Sequence, residues 1–134
     1  MYEESLNQLS IYDFVSPFDG ALRPNNRWVR LAAAIDWRAL EKQYAAHFAS
    51  RGKHALPVRC AFGSLVIRHA LGLSDRQTVQ LIAESPYLQY FIGLHKFSEQ
   101  LPFSARSMAA FRARIPTRRV AHAARMLETL SAAT

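Results

Sequence analysis

VRCAFGSLVIRHALGLSDRQTVQLIAESPYLQYFIGL, from Val58 to Leu94, is the stretch whose reading decides the fold. Val58, Phe62, Leu65, Val66 and His69 recur at i, i+4, i+7, i+8 and i+11, the spacing of one helix face. Cys60, Ile67 and Leu71 lie off that face and are apolar as well, so the pattern predicts a central helix buried on most sides. Gly72 suits the left-handed position that closes a helix. Ser74 and Gln77 then make a capping-box pattern ahead of Val79, Leu81 and Ile82. The serine oxygen accepts from the N–H three residues on, and the glutamine reaches back to the serine N–H. A third helix is bracketed by Pro86 just inside its start and Gly93 just past its end. It carries Tyr87, Leu88, Tyr90, Phe91 and Ile92, a large apolar payload for a short element.

Upstream, Asn26 is placed to cap a helix through about Ile35 that carries Trp28, Val29, Leu31 and Ala32. Asp36 is the expected cap of the next helix, where Trp37, Leu40, Tyr44 and Phe48 follow at i, i+3, i+7 and i+11. Aromatics at that spacing point to packing on the central helix rather than to stacking on bases. Residues 3–14 are expected to form a short helix with Leu6, Leu9 and Ile11 inward, and Ser16–Asn26 a loop punctuated by Pro17, Gly20 and Pro24. Downstream, His95–Phe103 is a connection and Ser104 caps a helix through Ile115. Pro116 ends it, because its ring disfavours helix in the preceding residue. A last helix from Thr117 to about Ala132 has Val120, Ala124, Leu127 and Leu130 on one side. No segment alternates apolar and polar residues as a half-buried strand does. The predicted fold is all-α: a compact multi-helix domain over residues 1–116 with helix-turn-helix-like elements, followed by residues 117–134 as an amphipathic helix or truncated linker.

Composition narrows the function classes. The chain has 134 residues, half of them hydrophobic, enough for one domain with a real core. Its net charge is +7 and mostly arginine, which fits nucleic acid or another anionic surface. A basic protein with no nucleic-acid role has the same balance. The one cysteine excludes an internal disulfide, and Cys60 inside an apolar helix reads as a small buried hydrophobe. The acidic, polar N-terminus is no signal peptide, and charges interrupt every apolar run before it reaches the roughly 20 residues of a membrane span. A cytoplasmic protein, associated with the nucleoid if it binds DNA, is therefore expected. The five histidines form no i, i+4 pair and there is no CxxC, so no structural metal site is expected. There is no GxSxG turn for a nucleophile, and the carboxylates are scattered through caps and loops rather than gathered for two-metal chemistry. Read alone, the chain is not expected to be an enzyme or to carry a cofactor.

The basic side chains concentrate late in the chain. In the helix over 104–115, Met108, Phe111 and Ile115 share the inward face, Arg106, Ala110 and Arg114 run along the outer side, and Arg112 flanks the inward face. Guanidinium forks match phosphates and the guanine O6/N7 edge, so this helix is a DNA-contact candidate; an ordinary solvated face has the same pattern. Arg118 and Arg119 stand at the next helix start, where cations oppose the helix dipole, and either phosphate contact or solvation relieves that. Arg51 and Lys53, with His54, form a basic loop open to the same two readings.

With these residues in view, the sequence resembles the N-terminal domain of InsH-like insertion-sequence transposases. The matching pieces are DFVSPF, NNRWVRLAAAIDW, EKQYAAHF, the Arg59–Leu73 helix, LSDRQTVQLIAESPYLQYFIGL, Pro102–Phe103 and FRARI. The long consecutive run is the most specific. The resemblance implies a helical domain that binds double-stranded DNA at the terminal inverted repeats of its element. In such transposases it precedes a catalytic domain whose Asp-Asp-Glu triad holds magnesium. Phe111-Arg112-Ala113-Arg114 matches a segment where a lysine is usual at the alanine position, and Gly52-Lys53-His54 matches a GRP-like one. Similarity fades after Ile115, so the resemblance implies a truncated transposase or one whose catalytic half is encoded separately; magnesium would belong to that half. The alternative is an interaction module, whose last helix pairs with a second copy or with a full-length transposase and inhibits it.

Overall fold

A computed structural model describes residues 10–16, 21–48 and 56–132. Its seven described helices are α1 (Arg27–Ala34), α2 (Trp37–Phe48), α3 (Val58–Leu71), α4 (Asp75–Glu84), α5 (Pro86–Phe91), α6 (Ala105–Arg114) and α7 (Thr117–Ala132). The architecture is all-α. Helix α3 is the hub: α2, α4, α6 and α7 all pack on it, and α1 bridges α5 and α7. Every residue from Val58 to Ile67 is buried. A helix surrounded on all sides has no polar face to leave in water, which is why its apolar residues follow no single stripe.

The ends of the helices follow local chemistry. Asn26 Oδ1 accepts from the Trp28 N–H at 2.8 Å, and Asp36 Oδ1 from the Ala39 N–H at 3.0 Å. The Ser74–Gln77 capping box is complete, with bonds of 3.1 and 3.0 Å. Gly72 closes α3 at φ 64°, a left-handed conformation that side chains resist. Ile115 is extended, at ψ 124°, so α6 stops ahead of Pro116.

The core joins all the layers. Trp28, Trp37 and Phe91 meet edge to face, with centroids 5.1 Å apart for Trp28–Phe91 and 5.5 Å for Trp37–Phe91. The end of α5 rides directly over Gly63, where an added Cβ would lie 3.0 Å from Ile92 Cγ2 and 3.3 Å from Ile92 Cα. The apolar face of α7 is part of this core. Val120, Ala123, Ala124 and Leu127 are buried, and Arg30 Nη1 donates to the Leu130 carbonyl at 3.0 Å.

Two sequence expectations change here, and one contact is new. His69 shares the inward-face spacing of α3 but is exposed, because it lies in the last turn, beyond the run of buried residues that ends at Ile67. Residues 11–13 form a turn rather than the end of a helix, although Ile11 is buried as expected; residues 3–9 lie outside the described residues. Val15 makes an unforeseen parallel bridge to the connection after α5, donating to the His95 carbonyl and accepting from the Phe97 N–H, both at 2.9 Å.

Candidate nucleic-acid interface

Met108, Phe111 and Ile115 turn into the core as the spacing of α6 requires, which leaves Arg106, Arg112 and Arg114 exposed. Helix α6 packs against both α3 and α4. This contact gives Arg112 a partner the sequence did not foretell. Its guanidinium donates to Asp75 Oδ1 at the start of α4, and Arg68 Nε of α3 donates to the same oxygen at 2.8 Å. The Arg112 guanidinium, then Arg68, holds the Asp75 carboxyl below the usual carboxylate range. Two cations on one carboxylate leave the cluster net positive, in a part-exposed spot where three helices meet.

Pro116 brings α7 in close behind α6, so Arg112, Arg114, Arg118 and Arg119 fall within eight residues around one corner. Arg118 is exposed. Arg119 is exposed too but donates to Gln43 Oε1 of α2 at 2.5 Å. That contact spans a cleft of about 280 Å³ between α2 and α7, floored by Leu40, Phe62, Ala123 and Met126. Farther along α7, His122 and Arg125 are also exposed, four and seven residues after Arg118. Arg51 and Lys53 lie outside the described residues. The structure thus gathers Arg106, Arg112, Arg114, Arg118 and Arg119 on consecutive helices α6 and α7, with Arg112 and Arg119 each tied to another helix.

One arginine has a different role from the rest. Arg59 is buried at the start of α3 and donates to the carbonyls of Phe91, at 2.9 Å, and Tyr90, at 3.0 Å. Its guanidinium also lies 4.6 Å from the Trp37 ring centroid. Burial pulls its pKa down to about 10, so it stays charged at neutral pH. It ties α3 to the C-terminal end of α5, where the helix dipole favours a cation. A basic count alone places Arg59 with the surface arginines; only its position four residues before Gly63 on the most apolar helix hints otherwise.

Helix α4 shows the opposite face of the same design. Thr78 and Ile82 are fully buried, while Arg76, Gln77, Gln80, Leu81 and Glu84 are exposed. Among the described residues there is no group of three or more His, Cys, Asp or Glu side chains placed to hold a metal ion. No described helix is long and apolar enough to cross a membrane.

Residues 16–114 match the family described as Transposase domain (DUF772). The chain belongs to that family. A further relative is the "Uncharacterized protein ORF8 in nfe locus" of Rhizobium meliloti, 30% identical over 102 residues, which are 76% of this chain. The match covers 49% of that protein, so the chain spans about half the length of the curated relative it matches. No solved structure matches. The transposase domain runs from the loop before α1 to the last residue of α6, and α7 extends the same core beyond it.

Proposed function

We propose that this transposase-family chain is the DNA-binding helical portion of an insertion-sequence transposase of the InsH-like kind, and that it recognises the terminal inverted repeats of its element. The observation that carries this reading is the family match over most of the chain, joined to an arginine-rich corner on α6 and α7. Arg106, Arg114 and Arg118 contact phosphates there. Arg112 and Arg119 contribute charge from positions fixed by Asp75 and Gln43, so they arrive with little side-chain freedom left to lose. Arg51 and Lys53 supply further phosphate contacts from the segment between α2 and α3. Strand cleavage would need acidic side chains gathered around a metal ion, and no such group lies among the described residues.

Fluorescence anisotropy tests the reading. Duplexes carrying the inverted repeats that flank the gene should bind at least tenfold more tightly than scrambled duplexes of the same length. The logarithm of the binding constant should fall steeply with the logarithm of salt, by nearly one unit of slope for each phosphate contact. No retention of either duplex at low salt would sink the proposal. Equal binding to both would remove repeat recognition and leave only a non-specific basic surface.

A further inference from the structure

We infer that α4, rather than the more basic α6, is the helix that reads base sequence, through Arg76, Gln80 and Leu81. The inference rests on the DNA-binding reading above and assigns its specificity. Helices α3 and α4 are joined by only three residues, 72–74, with Gly72 in the left-handed conformation. A short glycine-containing turn between two packed helices fits a helix-turn-helix, in which the second helix enters the groove with its N-terminal residues against the bases. Here that second helix is α4.

The outward face of α4 has the chemistry for this task. Arg76 and Gln80 stand one turn apart, exposed, and neither side chain bonds to another described residue. Gln77, between them, is committed to the Ser74 N–H. Arginine matches the O6/N7 edge of guanine and glutamine the N6/N7 edge of adenine, each with two bonds. Leu81 is one of the few exposed large apolar side chains, at 36%, and sits beside Gln80 where a thymine methyl would be met. The charges agree with an N-terminal approach. Asp75 would repel phosphates at the leading end, but Arg68 and Arg112 both bind it. Glu84 lies at the trailing end.

Helix α6 is less suited to reading. Its exposed positions are arginines and the alanines Ala109 and Ala113, and alanine offers no hydrogen bond to a base edge. Arg112 is already held by Asp75, which fixes α6 beside the leading end of α4. That places the α6 arginines at the flank of a groove-inserted α4, where phosphates lie. The arginines and small alanines of α6 suit close approach to the DNA backbone. Base discrimination across a motif gains from a glutamine, which both donates and accepts, beside an arginine that no other side chain occupies.

Selection from a random-sequence duplex library tests this with the full chain and its Arg76→Ala, Gln80→Ala, Gln80→Glu and Arg106→Ala variants. All three positions are exposed, so circular dichroism melting should be unchanged. The wild type should enrich a motif. Gln80→Ala should lose roughly tenfold or more discrimination at one position and keep the rest. Gln80→Glu should shift that position toward cytosine, whose amino group a carboxylate accepts. Arg76→Ala should lose a guanine elsewhere in the motif. Arg106→Ala should enrich the same motif, weaken all duplexes alike and lower the salt slope by about one. Enrichment of the wild-type motif by the Arg76 and Gln80 variants, with discrimination intact, would overturn the assignment while leaving DNA binding in place. Retention of DNA by the wild type without any motif also overturns it. Failure of the wild type to retain DNA removes the DNA-binding reading itself, and this assignment with it.

Discussion

At the residue scale, two charged side chains show how little a formal charge says without its surroundings. Arg59 spends its guanidinium inside the fold, on two carbonyls at the end of α5 and on the face of Trp37. Arg59→Leu leaves those acceptors without this donor in a buried site, and urea unfolding should show a loss of roughly 2–3 kcal/mol. Arg59→Lys keeps the charge but not the fork, and should fall between that variant and the wild type. Asp75 works in the other direction. Its folded pKa is depressed by Arg112 and Arg68, so its stabilisation is present above the unfolded value of about 3.9 and is lost as pH falls through the lower folded value. Asp75→Asn should therefore unfold up to about 1 kcal/mol more easily at pH 7. The two proteins should converge in acid, and a gap that persists at low pH would show that the carboxylate charge is not the cause.

At the scale of elements, α7 is the informative case. Its apolar side invites the reading of a pairing surface for a second copy, but within one chain that side already packs on α3 and α1. A chain ending at residue 116 uncovers the buried Val120 and Leu127 contacts, and should lose at least about 3 kcal/mol of stability. Urea titrations of the two lengths measure this directly. An unchanged midpoint would make residues 117–134 an appendage instead of part of the fold. Sedimentation of the same two chains shows whether α7 also joins copies; a covered face predicts no change in association.

For the whole molecule, the two tryptophans report on one shared core. Trp28 belongs to α1 and Trp37 to α2, and both rings contact Phe91 of α5. Helix content by circular dichroism and tryptophan emission should then lose their native values in one coincident transition. Separate midpoints would mean that α1 and α2 melt away from the α3–α7 assembly. The same unity bears on the proposed DNA-binding surface: the arginine corner and α4 are held in register by Asp75, so that surface is only as ordered as the core beneath it.

Most of the architecture was legible in the chain. Asn26, Asp36, Gly72, the Ser74–Gln77 pair and Pro116 act within a turn of their own positions, so their patterns need no knowledge of the rest of the fold. The burial of Val58–Ile67 followed from apolar residues on every side of one helix, and the inward set Met108, Phe111 and Ile115 from simple periodicity. The family resemblance was carried by the same local run. What the sequence could not settle was which charged and polar side chains remain available. Arg59 and Phe91 are 32 residues apart, Asp75 and Arg112 are 37, and Gln43 and Arg119 are 76. Those pairings arise only when helices distant in the chain pack together, and they separate the arginines tied to another helix from the polar side chains that stay exposed on the surface.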